Sequence, residues 1–176
     1  MPHVSQPRLL SLSTRIVQAF RIANLAIAVF FLAILCATLP GLELVQDALA
    51  RKYGGAVDTV TVVLFVRVTL LLGLPICWVV ERLLAALRAI LGTVAEGDPF
   101  VRANAARLRT IGWMLLTIQV ADLAFGATRL VAKLLHIDYA SWQPSFTGWL
   151  GVLIAFVLAQ VFERGAAMRE DLDGTV

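Results

Sequence analysis

Residues 60–80 read VTVVLFVRVTLLLGLPICWVV, twenty-one positions with a single charge at Arg67. At ~1.5 Å per residue, a helix of that length crosses the ~30 Å hydrocarbon layer of a bilayer. A helix built for water carries a polar stripe on every turn, and this stretch has none. Three similar runs accompany it, Ile22–Leu39, Ile111–Thr128 and Phe146–Phe162, and the four together hold two charged residues, Arg67 and Asp122. Lipid accepts only structures that satisfy their own backbone groups, which means helices or closed barrels. Continuous rather than alternating apolar runs select helices.

The composition points the same way. Hydrophobic residues make up 60% of the 176 positions, charged ones 15%, and the mean hydropathy is +0.85. Soluble domains average about 45–50% apolar and about 25% charged. The longest gap between runs, Glu81–Thr110, leaves no room for a separate soluble domain. The sequence therefore predicts an all-α integral membrane protein, a single four-transmembrane-helix bundle over 1–176. Its spans fall at 22–39, 60–80, 111–133 and 146–162, with the third carried on through Arg129 and Lys133.

Arginine placement orients the bundle. Arg8, Arg15 and Arg21 precede the first span; Arg82, Arg88, Arg102, Arg107 and Arg109 lie between the second and third; Arg164 and Arg169 follow the fourth. An excess of Lys and Arg marks the cytoplasmic side, which predicts inner termini and two short outer loops near Pro40–Thr59 and Leu135–Ser145. Trp78 and Trp113 then fall at the inner interface, and Tyr139, Trp142 and Trp149 at the outer one. The expected location is the bacterial inner membrane. The pI of 9.3 is read as a topology signal facing anionic lipid, not as nucleic-acid binding.

Motifs for chemistry are absent. There is no phosphate-binding glycine loop and no His-Glu-x-x-His. His3 and His136 belong to opposite sides of the membrane, and Cys36 and Cys77 to opposite depths, so neither pair supports a metal site or a disulfide. The reading is a non-enzyme with no catalytic residue, metal or cofactor.

Two features carry functional readings. Arg67 and Asp122 lie at depths a few ångströms apart, and an unpaired mid-membrane charge costs at least ~2.5–3.5 kcal/mol, which predicts that they pair. Gln119, Asp122, Arg129 and Lys133 share one helical face, forming either a polar cleft for a ligand, proton or ion, or a stripe that fixes helix packing. The second feature lies past span two. Leu83, Leu87, Ile90, Leu91 and Val94 continue at helical spacing to Gly97, a C-terminal cap. Asp98 and Pro99 then read as an N-cap and first-turn proline. The product is an amphipathic cytoplasmic helical hairpin between helices two and three. It serves either as an elbow on lipid headgroups or as a docking surface. Small residues at Ala19, Ala23 and Ala26, and at Gly151, Ala155 and Ala159, mark faces for close packing, either between spans one and four or in a homodimer. Pro75, just after Gly73, predicts a kink in span two.

Two stretches also carry a resemblance. Glu96–Trp113 (EGDPFVRANAARLRTIGW) and Val157–Val176 (VLAQVFERGAAMREDLDGTV) resemble signatures of a small bacterial family of four-pass membrane proteins labelled only as a domain of unknown function. Gln160 and Gly174 depart from that pattern, which often has Glu and a bulkier residue there. Such proteins are similar to ones encoded beside a small Cro/CI-type helix-turn-helix regulator. The resemblance implies a membrane partner for that regulator, touching it through Gly97, Asp98, Pro99, Phe100, Arg102, Asn104, Arg107, Arg109, Glu163, Arg164 and Arg169. The alternatives are a small transporter or channel using Arg67 and Asp122, or an accessory subunit of a larger membrane complex.

Overall fold

The computed structural model describes residues 6–38, 59–134 and 145–173, with positions 47 and 51 between them. Four long helices run through these residues: α1 Gln6–Ala37, α2 Thr59–Ala95, α3 Arg102–Leu134 and α4 Phe146–Asp173. Among the described residues there is no strand. The expected outer loops lie almost wholly outside the described residues, as do His3, His136, Tyr139 and Trp142.

Each helix holds a segment long and apolar enough to cross a membrane. Large apolar side chains stay exposed along all four, among them Phe20, Leu25, Phe30, Leu71, Trp78, Leu123, Leu153 and Val157. A soluble monomer rarely leaves so much apolar surface uncovered, whereas lipid tails solvate it at no cost.

The helices outrun the spans. With 37 residues, α2 is ~55 Å long, well beyond the ~30 Å hydrocarbon layer. The first helix begins at Gln6, far ahead of the expected span start at Ile22. Leu9, Leu12, Ile16 and Phe20 recur at three- to four-residue spacing, and Pro7 sits in the first turn where its missing N–H costs nothing. Pro75 lies inside α2, which continues through it as one helix.

The turn after α2 corrects the expected N-cap. Gly97 adopts φ +84°, the left-handed region. Its N–H donates to Val94 O at 3.2 Å, and the Asp98 N–H donates to Thr93 O at 2.9 Å. These two bonds form a Schellman closure that satisfies the last carbonyls of α2. Asp98 thus finishes one helix rather than starting the next, and α3 begins at Arg102.

The chain divides into two compact units. Unit 1 holds the start of α1, the end of α2 from Val79, α3 up to Gln119, and α4. Its core is Ile90, Ile111 and Ala155, with Leu83, Ala86, Leu87, Val94, Leu108 and Leu115 packed around it. The apolar face predicted on the α2 extension is therefore covered by α3 and α4. The small-residue face of α4 is also used inside this unit, with Ala155, Ala159 and Ala166 all buried. Ala19, Ala23 and Ala26 of α1 are exposed. Unit 2 holds the second half of α1, α2 up to Trp78, and α3 from Val120. It buries Val62, Val63, Leu70 and Cys77, and Phe31 packs on the open backbone at Gly73. Cys36 and Cys77 are both free thiols.

Candidate functional site

In unit 1, α3 and α4 run antiparallel, and side-chain contacts mark their register from end to end. Gln119 is buried and donates its Nε2–H to Ser145 O at 3.0 Å, with Gly148 leaving room for its amide. Next, Trp113 meets Phe156 edge-on at 5.4 Å between centroids, and Gly112 accommodates the Phe156 ring. Arg109 then pairs with Glu163 at 2.9 Å, and Arg102 with Glu170 at 2.7 Å. Arg169 reaches back to the Asp98 carboxylate in the turn. Phe100 stacks on Phe162 at 5.2 Å between centroids, over the bare Cα of Gly165.

The two stretches singled out by resemblance are thus one surface. Asp98, Phe100, Arg102 and Arg109 come from the turn and α3, and Glu163, Arg169 and Glu170 from α4. Phe100 and Met168 are its exposed apolar part, and Arg164 is exposed on α4 as well. A cavity of about 240 Å³ opens among Arg102, Arg109, Glu163 and Ala167.

Other residues expected on this surface take part in the turn. Asn104 is fully buried. Its Nδ2 donates to Thr93 Oγ1 at 2.7 Å and to Pro99 O at 2.8 Å, and its Oδ1 accepts from Arg107 Nη1 at 2.8 Å. Arg107 also donates to Ala89 O at 3.2 Å. Asn104, Arg107 and Pro99 therefore set the turn's shape, while Gly97 is exposed at its tip. A buried amide has to find partners, and a turn with loose carbonyls supplies them.

Arg67, expected to pair with Asp122, reaches the end of α1. Arg67 donates from Nε to Thr38 Oγ1 at 3.3 Å and from Nη2 to the Thr38 carbonyl, and among the ion pairs of the described residues none joins it to Asp122. The reason lies in the backbone: Thr38 ends α1, where carbonyls have no intrahelical partner. A guanidinium satisfies both that carbonyl and its own desolvation. Asp122 is half-buried and has interactions of its own. The side chain of Arg129 lies outside the described residues, and Lys133 is exposed.

Two features escaped the sequence. Arg21 of α1 pairs with Glu81 of α2, both partly buried. An open groove of about 800 Å³ lies between the first turns of α1 and the end of α2, with Arg15 and Arg88 in its lining. The signal for both was the helical spacing ahead of Ile22, which extends α1 alongside α2. Among the described residues, no group of three or more His, Cys, Asp or Glu could hold a metal ion.

Four apolar helices with lipid-type surfaces make this a multi-pass integral membrane protein. The family described as "Protein of unknown function (DUF2975)" matches residues 22–176, and the chain belongs to it. No curated protein and no solved structure matches the chain.

Proposed function

We propose that this protein is a non-enzymatic regulatory membrane partner of a small cytoplasmic DNA-binding transcription regulator, docking it on the surface formed by the α2–α3 turn and the end of α4. One observation carries the reading: the two family-like stretches, separated in sequence by residues 114–156, are joined by three ion pairs and an aromatic contact. Exposed Phe100 and Met168 within a rim of charged side chains have the make-up of a protein-docking patch, apolar at the centre and polar at the edge. Methionine adapts to a partner's contours. The arginine distribution supports placing this surface, with both termini, on the cytoplasmic side of the inner membrane. There a soluble regulator can reach it. Because α4 runs directly from a membrane span into the patch, a shift of the span moves the patch.

Fusion reporters test the topology. One after Val176 or within Ala95–Asp98 is expected to read cytoplasmic, and one near Gly54 or Asp138 external. Co-purification in mild detergent tests the partner. The full-length protein is expected to retain a helix-turn-helix protein that is lost on deleting Ala167–Val176, while insertion persists and the regulator's target genes change expression. If no cytoplasmic protein co-purifies, and purified protein in vesicles moves an ion or drug in an Asp122-dependent way, the transporter reading replaces this one.

A further inference from the structure

We infer that the groove between the start of α1 and the end of α2 is a binding site for an anionic phospholipid, with the phosphodiester headgroup held by Arg15 and Arg88. Both arginines line it, alongside Gln18, Thr14, Leu10 and Val94, and among the described residues no acidic one does. That sets them apart from five other arginines of this unit. Arg21, Arg102, Arg109 and Arg169 each hold a carboxylate, and Arg107 is spent on Asn104 and Ala89 O. Arg88 makes only a long 3.4 Å bond to Gln18 Oε1, and no ion pair involves Arg15 or Arg88 among the described residues.

Two guanidinium forks on one groove without a carboxylate form a site for a phosphate group, whose oxygens they can bond in pairs. Basic pockets between transmembrane helices are where anionic headgroups collect. The rest of the groove favours a lipid over a free anion. Leu10 and Val94 supply apolar wall, and Ile16 and Phe20 stand exposed along α1 between Arg15 and the span. A headgroup on Arg15 and Arg88 would lay its acyl chains along Ile16 and Phe20 toward the bilayer. A volume of about 800 Å³ takes a headgroup together with the first methylenes. The cavity beside Arg109 has no such character, since Glu163 already neutralises that arginine.

The test is lipid retention by the full-length protein. Protein in nanodiscs of phosphatidylcholine doped with phosphatidylglycerol is delipidated stepwise in detergent, and the co-purifying lipid is counted by native mass spectrometry. Phosphatidylglycerol should stay bound to the wild type in preference to phosphatidylcholine. Arg15→Gln/Arg88→Gln should lose that preference by about tenfold or more, from two headgroup contacts. Arg8→Gln, which removes a cation from the same helix outside the groove, should keep it. Should the double variant fail to fold, melting of the wild type decides: phosphatidylglycerol should raise its Tm, and phosphatidylcholine or inorganic phosphate at equal concentration should not. Equal retention of the two lipids, retention unchanged in the double variant, or stabilisation by inorganic phosphate matching that by the lipid would each overturn the assignment.

Discussion

The two units of this chain are held by different means. Unit 1 is laced by polar contacts: among its described residues four ion pairs, the Asn104 network across the turn, and Gln119 on Ser145. Among the described residues of unit 2, Phe31 lies on Gly73, Val62, Val63 and Leu70 are buried, and one arginine reaches a helix end. The contrast follows from the medium. Lipid tails offer no hydrophobic drive between helices, so apolar spans associate through shape and close approach. Where α2, α3 and α4 outrun the span length, water competes for every polar group, and position is specified by fully partnered networks instead. Shape defined by such networks suits recognition, and shape defined by packing alone suits a lipid environment.

The strongest way to break this comparison is to remove the hub of each unit. Asn104→Leu strips two donors and an acceptor from a fully buried position, leaving Pro99 O and an Arg107 N–H without their partner. Each stranded group costs about 1–3 kcal/mol, so a loss of about 3 kcal/mol is expected in detergent melting. Arg67→Leu in unit 2 should cost far less. Hydrogen bonds from a charged donor contribute about 1.5–3 kcal/mol, and removing a charge from a span returns about 2.5–3.5 kcal/mol. The net change is expected within about 1 kcal/mol of zero. Combined with Asp122→Asn, it should be additive to about 0.5 kcal/mol, because the arginine is bonded to Thr38. A loss at Arg67 as large as that at Asn104, or strong coupling to Asp122, would erase the distinction.

Glycine replacements give the next effect and probe close approach in both units. A Cβ on Gly165 would come within 2.9 Å of Phe100 Cδ1, and one on Gly73 within 2.7 Å of Phe31 Cε2. Gly165→Ala and Gly73→Ala should each cost about 1–3 kcal/mol from overpacking. The penalty should be lower at Gly165, where exposed Phe100 has room to swing aside. Gly92→Ala meets nothing within 4 Å and should be neutral or stabilising by up to about 1 kcal/mol. Melting curves of the three variants rank them.

The sequence made the membrane architecture plain because a four-fold run of apolar residues survives any detail of packing. It also marked the end of α2, since Gly97 sits where a helix must leave the right-handed region. It misplaced the start of α3, because Asp98-Pro99 carries the local chemistry of an N-cap while its actual bonds depend on Arg169, seventy-one residues away. The contact of Arg67 with Thr38 was hidden for the same reason. Depth along a span can be counted from sequence, but a free carbonyl at the end of α1 cannot be seen until the helix end is placed. The inward face of α4 was legible as a stripe of small residues, yet nothing local says that its partners are Ile90 and Ile111 rather than α1 or a second copy. Half of the candidate surface was visible as composition. Its assembly from two distant stretches was not.

The smallest expected effect is the most specific to function. Arg102–Glu170 and Arg109–Glu163 are exposed pairs, with between 53% and 74% of each side chain accessible. Pairs of that kind contribute about 0.2–1 kcal/mol each, and less as salt rises. Glu163→Gln/Glu170→Gln should therefore barely move the melting temperature. What it should change is the anchoring of α4 to α3, because with both pairs gone that end is held by the Phe100–Phe162 contact and by Arg169 on Asp98. Amide hydrogen exchange should rise several-fold over 163–173 and stay unchanged over 60–78, since free energies of this size shift local opening without reaching the packed spans. High salt applied to the wild type should reproduce the pattern. Faster exchange spread through both units would mean that the ion pairs stabilise the whole fold, and the division between a network-held and a packing-held unit would fail.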